Sequence, residues 1–90
     1  MTGAKLQALV IKELKRRKFL VVNVMTASVN GCADLLACSP TGRFYALEIK
    51  GDGDTLKPLQ RYFLHEVKKR GGVAMVITDL KQLEKQLREL

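Results

Sequence analysis

Ninety residues, 47% of them apolar and 28% charged, suffice for one thin-cored globular unit and exclude repeat arrays, large barrels and a separate cofactor domain. No apolar run approaches the roughly 20 residues needed to span a bilayer. The start, Met1 to Lys5, lacks the basic stretch and apolar block of a signal peptide, so the expectation is a soluble cytoplasmic protein.

Residues 4–18 have helical periodicity. Leu6, Leu9, Val10 and Leu14 form a stripe, with Lys5, Lys12, Lys15 and Arg16 mostly opposite. Residues 19–25 are β-branched and apolar, which predicts a largely buried strand. A polar loop, 26–31, leads to a second strand over 32–38. Ser39-Pro40-Thr41-Gly42 is a turn, and 43–50 form a third strand hairpinned to the second. Gly51-Asp52-Gly53-Asp54 breaks it. A second helix is expected from about 56 to 70, capped by Thr55 or Asp54, with Pro58 in its first turn and Gly71-Gly72 at its end. Residues 73–78 form a fourth strand that follows a helical crossover, so it can pair parallel to an earlier one. Asp79 and Gln82 form a capping box for a last short helix. The order is α-β-β-β-α-β-α, a mixed sheet of about four strands with a helix on each side.

The net charge of +7 is unevenly spread. Residues 1–18 carry six Lys or Arg against one acid, Glu13, and residues 57–70 carry five against Glu66. The middle, 31–54, holds Asp34, Glu48, Asp52 and Asp54 with two bases. Such flanks are either ordinary solvated helix faces or a surface that attracts a polyanion. The cysteines, Cys32 and Cys38, match no zinc spacing and are too far apart along one strand for a disulfide; they read as small buried hydrophobes.

Asp34 interrupts an apolar run, and Glu48 and Lys50 end another. Strand alternation puts Glu48 and Lys50 on the face of Phe44 and Ala46. With a three-residue hairpin loop, Pro40-Thr41-Gly42, and Gly42 left-handed, Ser39 faces Arg43 and Asp34 faces Glu48. Facing carboxylates repel, and a divalent cation between them converts repulsion into coordination. A few oxygen ligands suit Mg²⁺ or Mn²⁺, which also bind phosphate oxygens. Lys50, on the same face, is placed to orient a nucleophile and offset charge that builds in a transition state. A basic surface around such carboxylates fits a metal-dependent nuclease. A solvated Glu–Lys pair beside an unrelated Asp is the plain alternative.

Gly31-Cys32-Ala33-Asp34, followed after a hairpin by Glu48-Ile49-Lys50, resembles the core of the PD-(D/E)XK nucleases. With Gln60 early in the next helix, then Arg61-Tyr62-Phe63 and Gly71-Gly72-Val73, the chain is similar to the stand-alone VRR-NUC domain, the compact phage and bacterial type related to Holliday junction resolvases. The resemblance covers most of the chain and implies a restriction-endonuclease-like fold with residues 1–90 as one nuclease domain. It implies metal held by Asp34, Glu48 and the backbone carbonyl of Ile49, with Lys50 catalytic. Gln60 is implied to hold a ligand or the catalytic Lys; a plain amide on a helix surface is the other reading.

Two departures stand out. Ala33 replaces the usual Pro before the Asp. The family's supporting Glu in the first helix falls near Gln7, which is neutral and shares a face with Val10, Ile11 and Leu14. Glu13 is the only acid in that helix and lies about 240° around from Gln7, toward the basic surface. Gln7 is then either a neutral ligand or water holder, or an amide at the core's margin.

Lys12, Lys15, Arg16, Arg17, Lys57, Arg61, Lys68, Lys69 and Arg70 are candidates for phosphate contacts, which position nucleic acid without reading sequence. No run of aromatics favours single-strand stacking, so double-stranded or branched DNA is the expected partner. One unit has one site, so cutting two strands calls for a homodimer, as in the related resolvases, and makes a four-way junction a plausible substrate. The alternative function is a catalytically silent DNA-binding module with the same fold.

Overall fold

A computed structural model describes residues 1–90. Seven elements follow in the predicted order: α1 (Gly3–Arg16), β1 (Leu20–Asn23), β2 (Leu35–Cys38), β3 (Phe44–Ile49), α2 (Pro58–Lys69), β4 (Val73–Ile77) and α3 (Leu80–Arg88). The sheet order is β1-β2-β3-β4. The first two pairings are antiparallel and β3–β4 is parallel. The crossover helix α2 makes that last pairing possible.

Alternation along the strands divides the molecule into two layers. Leu35, Leu47 and Ile77 face α1 and α3 and join Leu6, Val10, Leu14 and Leu83 in the main core. The opposite face carries Ala46, Ala74 and Val76 beneath α2, with Leu64 as its buried anchor. Small side chains there let the helix approach the sheet closely.

The hairpin register follows the turn. Gly42 has φ +85, its N–H donates to the Ser39 carbonyl at 2.8 Å, and the Ser39 N–H donates to the Arg43 carbonyl at 2.9 Å. Leu35 then pairs with Leu47 and Cys38 with Phe44. One step further, this register sets Asp34 opposite Glu48.

Several boundaries differ from the sequence reading. β2 begins at Leu35, so Cys32 and Asp34 lie in the loop before it, and both cysteines are free and only half-buried. β1 is a short edge strand in which only Val21 is half-buried; Leu20 and Val22 are exposed. Its apolar composition suggests burial, yet α2 packs on β3 and β4 and leaves the β1 side of that face uncovered. α2 starts at Pro58 with Lys57 as its N-cap residue, so Thr55 and Asp54 do not cap it. Asp79 caps α3 as expected, accepting from the Gln82 N–H at 2.9 Å, but the Gln82 side chain takes the N–H of Thr78.

Candidate active site

The site lies where β2 begins and β3 ends, on the α2 face. Asp34, Glu48, Ile49, Lys50, Asp54, Lys57 and Gln60 line a polar cleft of about 390 Å³, completed by Gly53 and Thr55. Asp34 is held by its backbone and its carboxylate. Its carbonyl accepts from the Val24 N–H at 2.9 Å, and its Oδ2 accepts from the Ile49 N–H at 2.8 Å. The loop's bridge to β3 therefore runs through the side chain that the site needs.

Glu48 is the one buried charged residue in the chain, 1% exposed. Its Oε1 accepts from Gln60 Nε2 at 3.0 Å and lies 3.6 Å from Lys50 Nζ. Its Oε2 is buried with no hydrogen-bond partner. Burial first, and then the Asp34 carboxylate beside it, push Glu48 up to about 7, while Lys50 opposes the shift. A buried acceptor without a donor is costly, and a second acidic group facing it raises the cost. Oxygen donors from two carboxylates in a partly closed cleft fit a hard divalent cation.

Gln60 ties the site together. Its Oε1 accepts from Lys50 Nζ at 3.0 Å and from the Lys57 N–H at 2.9 Å. The same amide therefore caps α2, orients Lys50 and holds Glu48. Its oxygen takes both donors, which leaves its NH₂ for the carboxylate. The first turn of α2 is itself fixed by the loop ahead of Asp34. Gly31, at φ +78, packs so closely that a Cβ there would meet the Leu59 carbonyl oxygen at 2.4 Å and the Gln60 nitrogen at 2.9 Å.

Asp34, Glu48, Ile49, Lys50 and Gln60 thus come together. Gln7 does not join them. Its Nε2 donates to Asn23 Oδ1 at 2.9 Å, and α1 packs on the other face of the sheet. Glu13 is bound by Arg16 and Arg17, both at 2.6 Å, and the Arg16 bond and then the Arg17 bond hold its carboxyl down at about 2. The expected phosphate-contacting residues divide in the same way. Lys57 lines the cleft, and Arg61 lies one turn along α2. Lys68, Lys69 and Arg70 are at the helix's far end, where Arg70 pairs with Glu66 at 2.7 Å. Lys12, Lys15, Arg16 and Arg17 are on the α1 layer. The wall formed by Gly53, Asp54 and Thr55 escaped the sequence reading. Its signal was the Gly-Asp-Gly-Asp run, which registers there as the end of a strand, a candidate helix cap and part of an acidic centre, not as a wall of the site.

A family model described as "VRR-NUC domain" matches residues 4–78. The chain belongs to the VRR-NUC domain family. This is a nuclease-type, DNA-cleaving family, generally dependent on divalent metal. A solved structure titled "VRR_NUC domain" superposes with a TM-score of 0.83 at 23% identity, over 98% of this chain and 97% of that one, and so has the same fold. No curated protein matches. No helix is long and apolar enough to cross a membrane.

Proposed function

We propose that this VRR-NUC domain is a Mg²⁺- or Mn²⁺-dependent endodeoxyribonuclease acting on duplex or branched DNA, four-way junctions included. The carrying observation is the unpartnered Glu48 Oε2, buried beside Asp34 at the end of β3 in a chain of net charge +7. Asp34, Glu48 and the Ile49 carbonyl would hold the cation. When bound, it supplies Lewis acidity at a phosphate oxygen and an activated water.

The chain's own groups do the remainder. The Ile49 N–H fixes the Asp34 carboxylate toward Glu48. Lys50, only 12% exposed and steered by Gln60, is placed beside the scissile phosphate to stabilise the charge that grows there. Gln60 holds Lys50 and Glu48 at a fixed separation, so neither group has to reorganise during reaction. Lys57 and Arg61, beside the cleft, take the nearest backbone phosphates, with Lys68, Lys69 and Arg70 further along α2. Lys12, Lys15, Arg16 and Arg17 are outer contacts on the layer behind the sheet. Phosphate contacts of this kind set affinity and position without reading sequence.

The test is a cleavage panel of linear, nicked, flap and four-way DNA with Mg²⁺, Mn²⁺ or chelator. Metal-dependent cutting of at least one form is expected. Tight binding with no cutting on any form would replace this reading with a silent DNA-binding module.

A further inference from the structure

The exposed side of α2 is basic and carries one misplaced ring. Lys57 heads the helix, and Arg61, Lys68 and Lys69 follow along it, all exposed. The helix's only acid, Glu66, is closed on Arg70 at 2.7 Å. Among these cations stands Tyr62, 63% exposed and the most exposed aromatic in the chain. Its neighbour Phe63 packs against the sheet, and Phe19 and Tyr45 pair edge to face at 5.0 Å. Tyr62 does neither. It borders a shallow hollow of about 430 Å³ with Pro58, Arg61 and His65, and its other side forms the rim of an apolar groove with Leu59 and Phe44.

A flat apolar ring set among cations suits a nucleic acid: the cations take phosphates and the ring takes the face of a base. Within a continuous duplex every base face is covered by its neighbours. A base offers a free face only where stacking is interrupted, at an end, a flap or a junction. One ring is too little to hold a length of single strand, but it is enough to cap one such interruption. Position also fits. Gln60 is on the cleft side of α2, and Tyr62, two residues on, is about 200° around the helix. The helix is about 10–12 Å across, which is about three base steps at ~3.4 Å each.

We infer that Tyr62 is a specificity-determining residue that stacks on the exposed base at a DNA branch, so that branched DNA is favoured over continuous duplex. The branch then lies about three nucleotides from the phosphate in the cleft. This deepens the nuclease reading and rests on it for where the DNA lies. A phenol hydroxyl bonded to a phosphate is the competing role for the same side chain.

Fluorescence anisotropy in chelator, where no cutting occurs, tests it by comparing four-way DNA with a linear duplex of the same arm sequence. The wild type is expected to prefer the four-way form. Tyr62→Ala is expected to weaken four-way binding about tenfold and linear binding by under about twofold. Tyr62→Phe keeps the ring and is expected to match the wild type on both. Emission of 2-aminopurine at the branch is expected to be quenched by the wild type and by Tyr62→Phe, and to stay bright with Tyr62→Ala. The side chain is exposed, so circular dichroism should not change. A wild type without preference overturns the inference, as does an equal loss on both DNAs in Tyr62→Ala. Tyr62→Phe as weak as Tyr62→Ala overturns it in favour of the hydroxyl–phosphate contact. A change of sedimenting mass in Tyr62→Ala overturns it as well, since the ring would then serve a contact between copies. A preference for four-way DNA that depends on the Tyr62 ring, in a protein that cuts nothing with Mn²⁺, would uphold the inference and sink the nuclease reading.

Discussion

The two faces of one sheet show what each side of this molecule is for. On the α1 and α3 side, Leu, Val, Ile and Met from every strand interlock with three leucines and a valine from the helices. That side holds the fold, and two of its basic residues, Arg16 and Arg17, are engaged by Glu13. On the α2 side the buried hydrophobes are chiefly alanines, half the face is bare, and a carboxylate is buried without a full set of partners. Stability is concentrated on one face so that the other can carry strain. In a 90-residue chain with one thin core, a division of this kind leaves room for a site of facing acids.

The largest expected effect isolates the strained face. Lys50→Ala should lower the cleavage rate by about two to three orders of magnitude, with DNA affinity nearly unchanged, as measured by single-turnover kinetics and a binding titration. Equal losses in both would mean that Lys50 holds DNA and does no chemistry.

Next comes the brace between loop and helix. Gly31 and Gly42 both have φ above +70, but a Cβ at Gly42 meets nothing within 4 Å. Gly42→Ala should therefore cost about 1 kcal/mol, the backbone term alone. Gly31→Ala should cost several times that in urea unfolding and also lower cleavage. In a Gln60→Ala background the cleavage part of its effect should vanish, because it acts through the turn that carries Gln60. Equal unfolding midpoints for the two glycine variants would remove Gly31 from the account.

Acid titration sharpens the comparison further. Glu48 binds its proton more tightly folded than unfolded, its value being raised from 4.5 to about 7. Its contribution to stability is thus complete below the unfolded value and is lost as pH rises through that window. Metal-free protein should lose on the order of 2 kcal/mol between those limits. Glu48→Gln should flatten that loss. The proton and a cation compete for the same oxygens, so Mn²⁺ affinity should climb from pH 5.5 to 7.5, readable by calorimetry.

The smallest effect compares basic residues across the faces. Lys57→Ala with Arg61→Ala should each lower the salt slope of DNA binding by about 1, whereas Arg16→Ala with Arg17→Ala should change it less. The reverse ranking would move the DNA to the α1 layer.

Much of this was legible from residues. Gly42 defines a three-residue turn, the turn fixes the register, and the register sets Asp34 against Glu48. Strand alternation then places Lys50 beside them. What depends on tertiary packing was not legible. The apolar composition of β1 is the same whether or not a helix covers it, so its exposure on one face could not be read. Gln7 shares a helical face with core residues, but which side of the sheet that helix packs on is set by topology, and it meets Asn23. Gln60 was legible as a residue bordering the site, but its three simultaneous bonds depend on Gly31 drawing α2 against the loop.

The central claim is that Asp34 and Glu48 form a metal site in which Lys50 stabilises the charge that grows on the phosphate in the transition state. It is tested most directly by cleavage of supercoiled and four-way DNA in Mn²⁺, comparing the wild type with a purified, folded Lys50→Ala, Glu48→Gln double variant. The account predicts metal-dependent cutting by the wild type and none above background by the double variant, with DNA binding retained. Full cleavage by the double variant would contradict it.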